Sequence, residues 1–232
     1  MDRLVRRLLR PGPPAFRGPS ATPRAPALGT MTALQAENEW SVRVHVDEPG
    51  AGRRVREAVV QGLARVWADW QALVVVCVGT DRSTGDALGP LTGHRLQALA
   101  PWPAPVFGTL EDPVHAGNLS ERITDIGRRF PGHAVVAVDA CLGSLENVGT
   151  ICVGEGALRP GAGVNKVLPP VGHLHVTGVV NVGGFMEYFV LQNTRLHLVM
   201  RMSGVIAEGL ADLVRQPPEH GSADADVAAD RL

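Results

Sequence analysis

Val74-Val75-Val76-Cys77-Val78, running into Gly79-Thr80-Asp81-Arg82-Ser83-Thr84-Gly85-Asp86-Ala87-Leu88-Gly89-Pro90, is the stretch whose reading decides the fold. A second run, Ala134-Val135-Val136-Ala137-Val138, leads directly into Asp139. Both runs are continuously apolar, the pattern of strands buried on both faces of a parallel sheet. In such sheets ligands bind outside the carboxyl ends of the strands, where strand order reverses. Asp86 lies in the turn after the first run and Asp139 ends the second. Two carboxylates at that place can share a proton, hold a metal or polarise a water.

Working outward, Arg53 to Trp70 carries apolar residues at helical spacing, and a first strand follows at Leu73–Val78. Asp86 is placed to cap a helix through Leu99, with Pro90 in its first turn, where a missing N–H costs little. A short strand is expected over Val106–Leu110, then a helix from Leu119 to Phe130 stopped by Pro131-Gly132. The strand His133–Asp139 gives way to an Ala140-Cys141-Leu142-Gly143 turn, and Asn147–Val153 reads as another strand. A long Gly/Pro-rich loop from Gly154 to Pro170 precedes a strand at His173–Thr177. Loops of that length in a compact domain are usually functional or mobile. Gly183-Gly184 opens a helical region to Val214, broken near Asn193-Thr194. Strands alternating with helices predict an α/β fold: a three-layer, twisted, mostly parallel sheet with helices on both faces.

The chain has 232 residues, suited to a single core, expected over 31–216. Residues 1–30 open with Arg3, Arg6, Arg7 and Arg10 among leucines, continue in a Pro/Ala-rich tract, and read as a disordered extension; Met31 is an alternative start. Residues 217–232 read as a disordered tail. No run is long and apolar enough to span a bilayer. A formal net charge of −1 gives no electrostatic case for nucleic acid. Three cysteines without a C-x-x-C pair argue for a reducing compartment and against structural zinc. Cys77 and Cys152 read as small core residues, and Cys141, close after Asp139, has no basic partner beside it in sequence.

Asp86 has a plain structural reading as a helix N-cap. The Ser83-Thr84-Gly85 run before it favours a functional reading, since glycine lets backbone approach a ligand. The same loop lacks the glycine spacing of nucleotide sites, and an aspartate there would repel phosphate. Asp139 is harder to assign to structure alone, because a strand of alanine and valine gains nothing from a terminal carboxylate. Glu111, Asp112 and His115 follow a strand on the same expected edge. Glu111 and His115 are candidates to hydrogen-bond substrate, and Asp112 before Pro113 reads as a turn residue. Lys166 and Arg159, in the long loop, can meet a substrate carboxylate or oxyanion. Asn181 and Glu187 flank Gly183-Gly184, a helix start able to offer amides to an anion.

These motifs carry a resemblance. Gly79 to Asp86, Gly108-Thr109-Leu110-Glu111-Asp112-Pro113-Val114-His115, Val138 to Gly143, Pro160 to Lys166 and Asn181 to Glu187 resemble the YyaC family of sporulation proteins over Val74 to Ala207. That family is similar, more distantly, to the germination protease of spores and to hydrogenase maturation peptidases. The resemblance implies a phosphorylase/hydrolase-like α/β fold, a peptidase-like hydrolase of sporulation or germination, and a cytoplasmic, forespore setting. It implies that Asp86 and Asp139 are an acid-protease pair acting on a protein or peptide substrate; no cofactor is expected, and composition already argued against a membrane or nucleic acid as partner. In the maturation peptidases the matching positions bind nickel together with a later histidine. Here Gly178-Val179-Val180-Asn181-Val182-Gly183 has none, and His173 and His175 lie upstream. Two carboxylates with one uncertain nitrogen are a poor nickel or zinc site, so metal ranks below the carboxylate pair. A non-catalytic regulatory member retaining the fold, and a hydrolase of small molecules, are the other readings.

Overall fold

Each apolar run becomes a strand of one six-stranded sheet in the computed structural model, which describes residues 40–66, 72–99, 104–161, 168–184 and 186–215. The extensions expected at 1–30 and 217–232, the end of the first helix at Trp67–Trp70, and Lys166 lie outside the described residues. The strands are β1 (Ser41–His45), β2 (Leu73–Cys77), β3 (Val106–Phe107), β4 (Ala134–Gly143), β5 (Thr150–Glu155) and β6 (Leu174–Val182), in the order β1-β5-β6-β4-β2-β3. β6, β4, β2 and β3 are mutually parallel, and β5 runs antiparallel to both β6 and β1.

The helices are α1 (Ala51–Val66), α2 (Leu88–Ala98), α3 (Leu119–Arg129), α4 (Glu187–Gln192) and α5 (Leu196–Arg215). α5 lies between α1 and α2 on one face. Their apolar sides meet Val75, Cys77, Val136, Val138, Val176 and Val180 in the larger core. α3 covers the other face, where Leu119, Ile123 and Ile126 pack on Val74, Val76 and Ala137. β2 sits between these layers, which is why all five of its residues are buried and none can be polar. β6 alternates instead, its Leu174, Val176, Gly178 and Val180 pointing into the larger core.

Several boundaries differ from those expected. β1 is an addition: it pairs at the edge with β5, and Val44 is the only one of its residues fully buried. The Ala140–Gly143 segment is strand, not turn, because β6 continues beside it to Val182. Asp139 therefore lies within β4, opposite Thr177. Asp86 is not a cap. It sits inside a 3-10 turn, Gly85–Ala87, that precedes α2, and no side chain caps either element. The expected break near Asn193-Thr194 separates α4 from α5. Among the described residues, no helix is long and apolar enough to cross a membrane.

Candidate functional site

Strand order reverses at β2 and β4. From β2 the chain moves outward to β3, then returns to β4 on the other side and reaches β6 by way of β5. A crevice at the carboxyl ends of β2 and β4 is the expected ligand position in an open α/β sheet. The β2–β4 ladder closes at Cys77 opposite Val138, with a last bond from the Val78 N–H to the Val138 carbonyl at 2.7 Å. Beyond it the first chain turns sharply. The Gly79 N–H donates to the Val114 carbonyl (2.8 Å) and the Thr80 N–H to the Asp86 carbonyl (3.2 Å). That turn brings Asp86 back over the end of β2, while Asp139 projects from β4, one residue past the last rung.

The two carboxylates are within electrostatic reach of each other. Asp139 is only 8% exposed, and its Oδ1 accepts the Ala140 N–H at 2.8 Å. Burial holds its carboxyl well above the ordinary carboxylate range, the charge on Asp86 pushes it the same way, and the Ala140 amide works against both. Asp86 is half-buried. Burial raises it too, outweighing the lowering by the Thr80 amide and by His115. The two environments differ, holding the Asp139 carboxyl further above the ordinary carboxylate range than that of Asp86. This is the arrangement in which one carboxyl serves as base and the other as acid. Cys141, two residues along β4 on the face of Asp139, has its thiol pushed up to about 12 by burial and by Asp139, so it is no thiolate nucleophile.

The remaining candidates divide. His115 is half-buried and within electrostatic reach of Asp86. Glu111 is exposed, and the neighbouring Asp112 is a turn residue bonded to Thr109 and paired with Arg122 of α3. Arg159 is exposed. The Asn181 carboxamide is taken up internally: Nδ2 donates to the Val190 carbonyl and Thr194 Oγ1, and Oδ1 accepts the Val182 N–H. It ties the end of α4 to β6. Glu187 Oε1 accepts the Gly184 N–H at 3.3 Å, and the Gly183 N–H donates to the Gly143 carbonyl. The expectation of free amides for an anion at Gly183-Gly184 is thereby corrected, since both amides already have acceptors. His173 Nδ1 accepts the Val135 N–H, and His175 Nδ1 lies 3.1 Å from the Gly156 carbonyl. Among the described residues, no group of three or more His, Cys, Asp or Glu is placed to hold a metal ion.

Two features near the pair were not singled out from the sequence. Thr177 stands opposite Asp139 on β6 and bonds to the Cys141 side chain. Only strand pairing reveals it. The second is a cleft of about 420 Å³ lined by Asn181, Val182, Met186, Phe189, Val190 and Asn193. Met186 (52%), Tyr188 (59%) and Phe189 (54%) are exposed around it. α4 packs on the turn that carries Asp86, with the Leu191 side chain and Thr194 Oγ1 nearest Gly85. The signal was present as Met186-Glu187-Tyr188-Phe189, four residues with three large apolar side chains and no helical period that would bury them.

Comparison with known proteins gives the following. A family model described as "Protein of unknown function (DUF1256)" matches residues 43–209. The chain is 52% identical over 167 residues to the uncharacterized protein YyaC of Bacillus subtilis (strain 168), covering 72% of this chain and 80% of that one. Among solved structures it is similar to HycI, a NiFe hydrogenase maturation protease from Thermococcus kodakarensis KOD1, at 17% identity and a TM-score of 0.44. That match covers 66% of this chain and 99% of the other.

Proposed function

From the premise that this chain belongs to the DUF1256 family, together with YyaC of Bacillus subtilis, we propose that it is a peptidase-like hydrolase in which Asp86 and Asp139 activate water against a peptide bond. The observation that carries the reading is the pair itself. Two carboxylates come within electrostatic reach of each other at the strand-order reversal, one buried and held well above the ordinary carboxylate range, the other half-buried and raised less. A structural role does not account for the pair, since Asp86 caps no helix and the Asp139 carboxylate bonds to the amide of its own neighbour, Ala140.

In the proposed reaction, Asp86 takes a proton from a water as its oxygen attacks the peptide carbonyl carbon. Asp139 gives its proton to the carbonyl oxygen, forming a tetrahedral diol. Asp86 then passes its proton to the leaving amine as the C–N bond breaks, and Asp139 recovers its own from the collapsing diol. The apolar cleft beside α4 suits large side chains of an extended polypeptide, which favours a protein substrate over a small polar molecule. Sporulation, in the cytoplasm of the forespore, is the proposed setting.

Incubating the chain with peptide libraries and unfolded spore protein, with mass-spectrometric readout, tests the reading. Cleavage should follow a bell-shaped pH profile, rising as Asp86 ionises and falling as Asp139 loses its proton. Asp86→Asn should remove cleavage while leaving the melting temperature nearly unchanged, because the amide oxygen still accepts the Thr80 N–H. Cleavage that survives Asp86→Asn sinks the mechanism. Tight binding of an extended peptide in the cleft with no cleavage under any condition replaces it with a non-catalytic binder.

A further inference from the structure

β4 outlasts its neighbour β2. Their ladder ends at Cys77 opposite Val138, whereas the ladder of β4 with β6 continues to Gly143 opposite Val182. From Asp139 to Gly143, no strand among the described residues pairs with β4 on the β2 side. Main-chain bonds show which residues face that side. The Ala134 N–H donates to the Ala72 carbonyl and the Val138 carbonyl accepts the Val78 N–H, so even-numbered residues face β2. The Val135 carbonyl accepts the His173 N–H and the Gly143 carbonyl accepts the Gly183 N–H, so odd-numbered residues face β6. The register shift beyond Cys141 falls on β6, where Val180 is the extra residue, and the alternation along β4 is unbroken. Ala140 and Leu142 therefore turn their main-chain groups to the side that β2 has left. The Ala140 N–H is taken by Asp139 Oδ1 at 2.8 Å, which leaves the Ala140 carbonyl and both main-chain groups of Leu142 facing the gap.

The gap is one strand wide. β2 turns out of the sheet at Gly79, and Val114, bridged in parallel to Val78, bounds the gap on the side away from β4. β4 and Val114 are two strand spacings apart there, about 10 Å. The turn that carries Asp86 uses its main chain within its own loop: the Thr80 N–H donates to the Asp86 carbonyl and the Ala87 N–H to the Thr84 carbonyl. Ala140, Cys141, Leu142 and Gly143 are all partly exposed. An unpaired strand edge offers donors and acceptors at the spacing of another extended backbone, which is how peptides add to sheets. Because Val114 closes the far side, the edge of a folded sheet, whose outer strand needs a second strand beside it, has no room. A single extended segment fits.

We propose that the substrate is an extended polypeptide segment that lies in this gap as an added strand, its main chain hydrogen-bonded to Ala140 and Leu142 of β4. The proposal rests on the hydrolase reading and deepens it, since the segment is held by its backbone rather than by a particular side-chain sequence. Asp139 immediately precedes the free groups on the same strand, so the pairing that holds the segment also sets which peptide group meets the carboxyls. Amide hydrogen exchange, read residue by residue by NMR, tests it. In the free wild-type chain the Leu142 amide should exchange much faster than the Asp139 amide, which faces β6. The probe is a pool of random-sequence synthetic decapeptides, added to the Asp86→Asn chain so that the peptides stay intact. At a pool concentration about tenfold above its Kd, exchange at Leu142 should slow about tenfold. The same pool methylated at its peptide nitrogens, which has lost its main-chain donors, should leave Leu142 unprotected.

A Leu142 amide as protected as that of Asp139 in the free chain would mean that the gap is already filled, and would overturn the proposal. Protection that grows with protein concentration in the absence of peptide would assign the edge to a second copy of the chain, with the same consequence. So would a pool that leaves Leu142 unprotected, or a methylated pool that protects it equally. The hydrolase reading fails separately. Protection at Leu142 with no cleavage by the wild-type chain keeps the docking mode and removes the hydrolase, and cleavage with Leu142 unprotected does the reverse.

Discussion

Asp139→Asn protein is expected to cleave no peptide and yet to melt higher than the wild-type chain at neutral pH. An unfolded aspartate ionises near 3.9. In the folded chain Asp139 is held protonated well above that, by burial first and by Asp86 second. Between the two values the folded state binds more protons than the unfolded state, so stability falls as pH rises. Asparagine never takes on that charge, and its amide oxygen can still accept the Ala140 N–H now bonded to Oδ1. The gain should be about 0.5–2 kcal/mol at neutral pH, the range in which relief of functional-site strain falls. That corresponds to roughly 1–8 °C in melting temperature for a chain of this size. It should disappear below about pH 4, where both states are protonated. Loss of the proton donor should cost at least about a hundredfold in cleavage rate. Melting curves at pH 4 and pH 8 check the first half. A variant no more stable than wild type at pH 8 would mean that Asp139 is already neutralised by a partner.

The second large effect is expected at Gly79→Ala. Gly79 has φ +137°, a conformation that L side chains rarely adopt. A Cβ there would collide with the Asp86 carbonyl oxygen and crowd Pro90 Cδ at 3.1 Å. The neighbours cannot step aside cheaply. Gly79 is tied to Val114, Thr80 is tied to Asp86, and β2 beneath is buried throughout. The substitution should cost about 3 kcal/mol or more, read as a lower denaturant midpoint, and should displace Asp86 from Asp139. Gly127→Ala is the matched control. Gly127 is exposed on α3 with nothing within 4 Å of a new Cβ, so alanine there should stabilise by about 0.4–1 kcal/mol. Equal effects at the two glycines would contradict the packing described for the turn after β2.

The sequence made the central strands legible because they are buried on both faces. Such strands leave no polar residue to confuse the pattern, so Val74–Val78 and Ala134–Val138 could be read by composition alone. Their parallel pairing, and the place of Asp86 and Asp139 at one sheet edge, followed from that. Edge features were hidden. Ser41–His45 alternates over only five residues, and its strand character comes from pairing with β5. The extension of β4 through Gly143 depends on β6 lying beside it, a fact of tertiary structure. Asp86 looked like a helix cap because aspartate before a Pro-containing first turn usually is one, whereas here a 3-10 turn intervenes. The coupling of the two carboxyls required the turn after β2 to fold back over the sheet edge, and the internal use of Asn181 required the packing of α4 against β6.

The central claim is that Asp86 and Asp139 form one electrostatic unit at the reversal of strand order. The measurement that meets it most directly is the NMR titration of the Asp139 carboxyl carbon in the wild-type chain and in Asp86→Asn. Removing the charge on Asp86 should move the Asp139 midpoint down while leaving it above the ordinary carboxylate range, because burial remains. An Asp139 midpoint that is the same in both chains would contradict the account, since the two carboxylates would then be neighbours in the fold without sharing a proton.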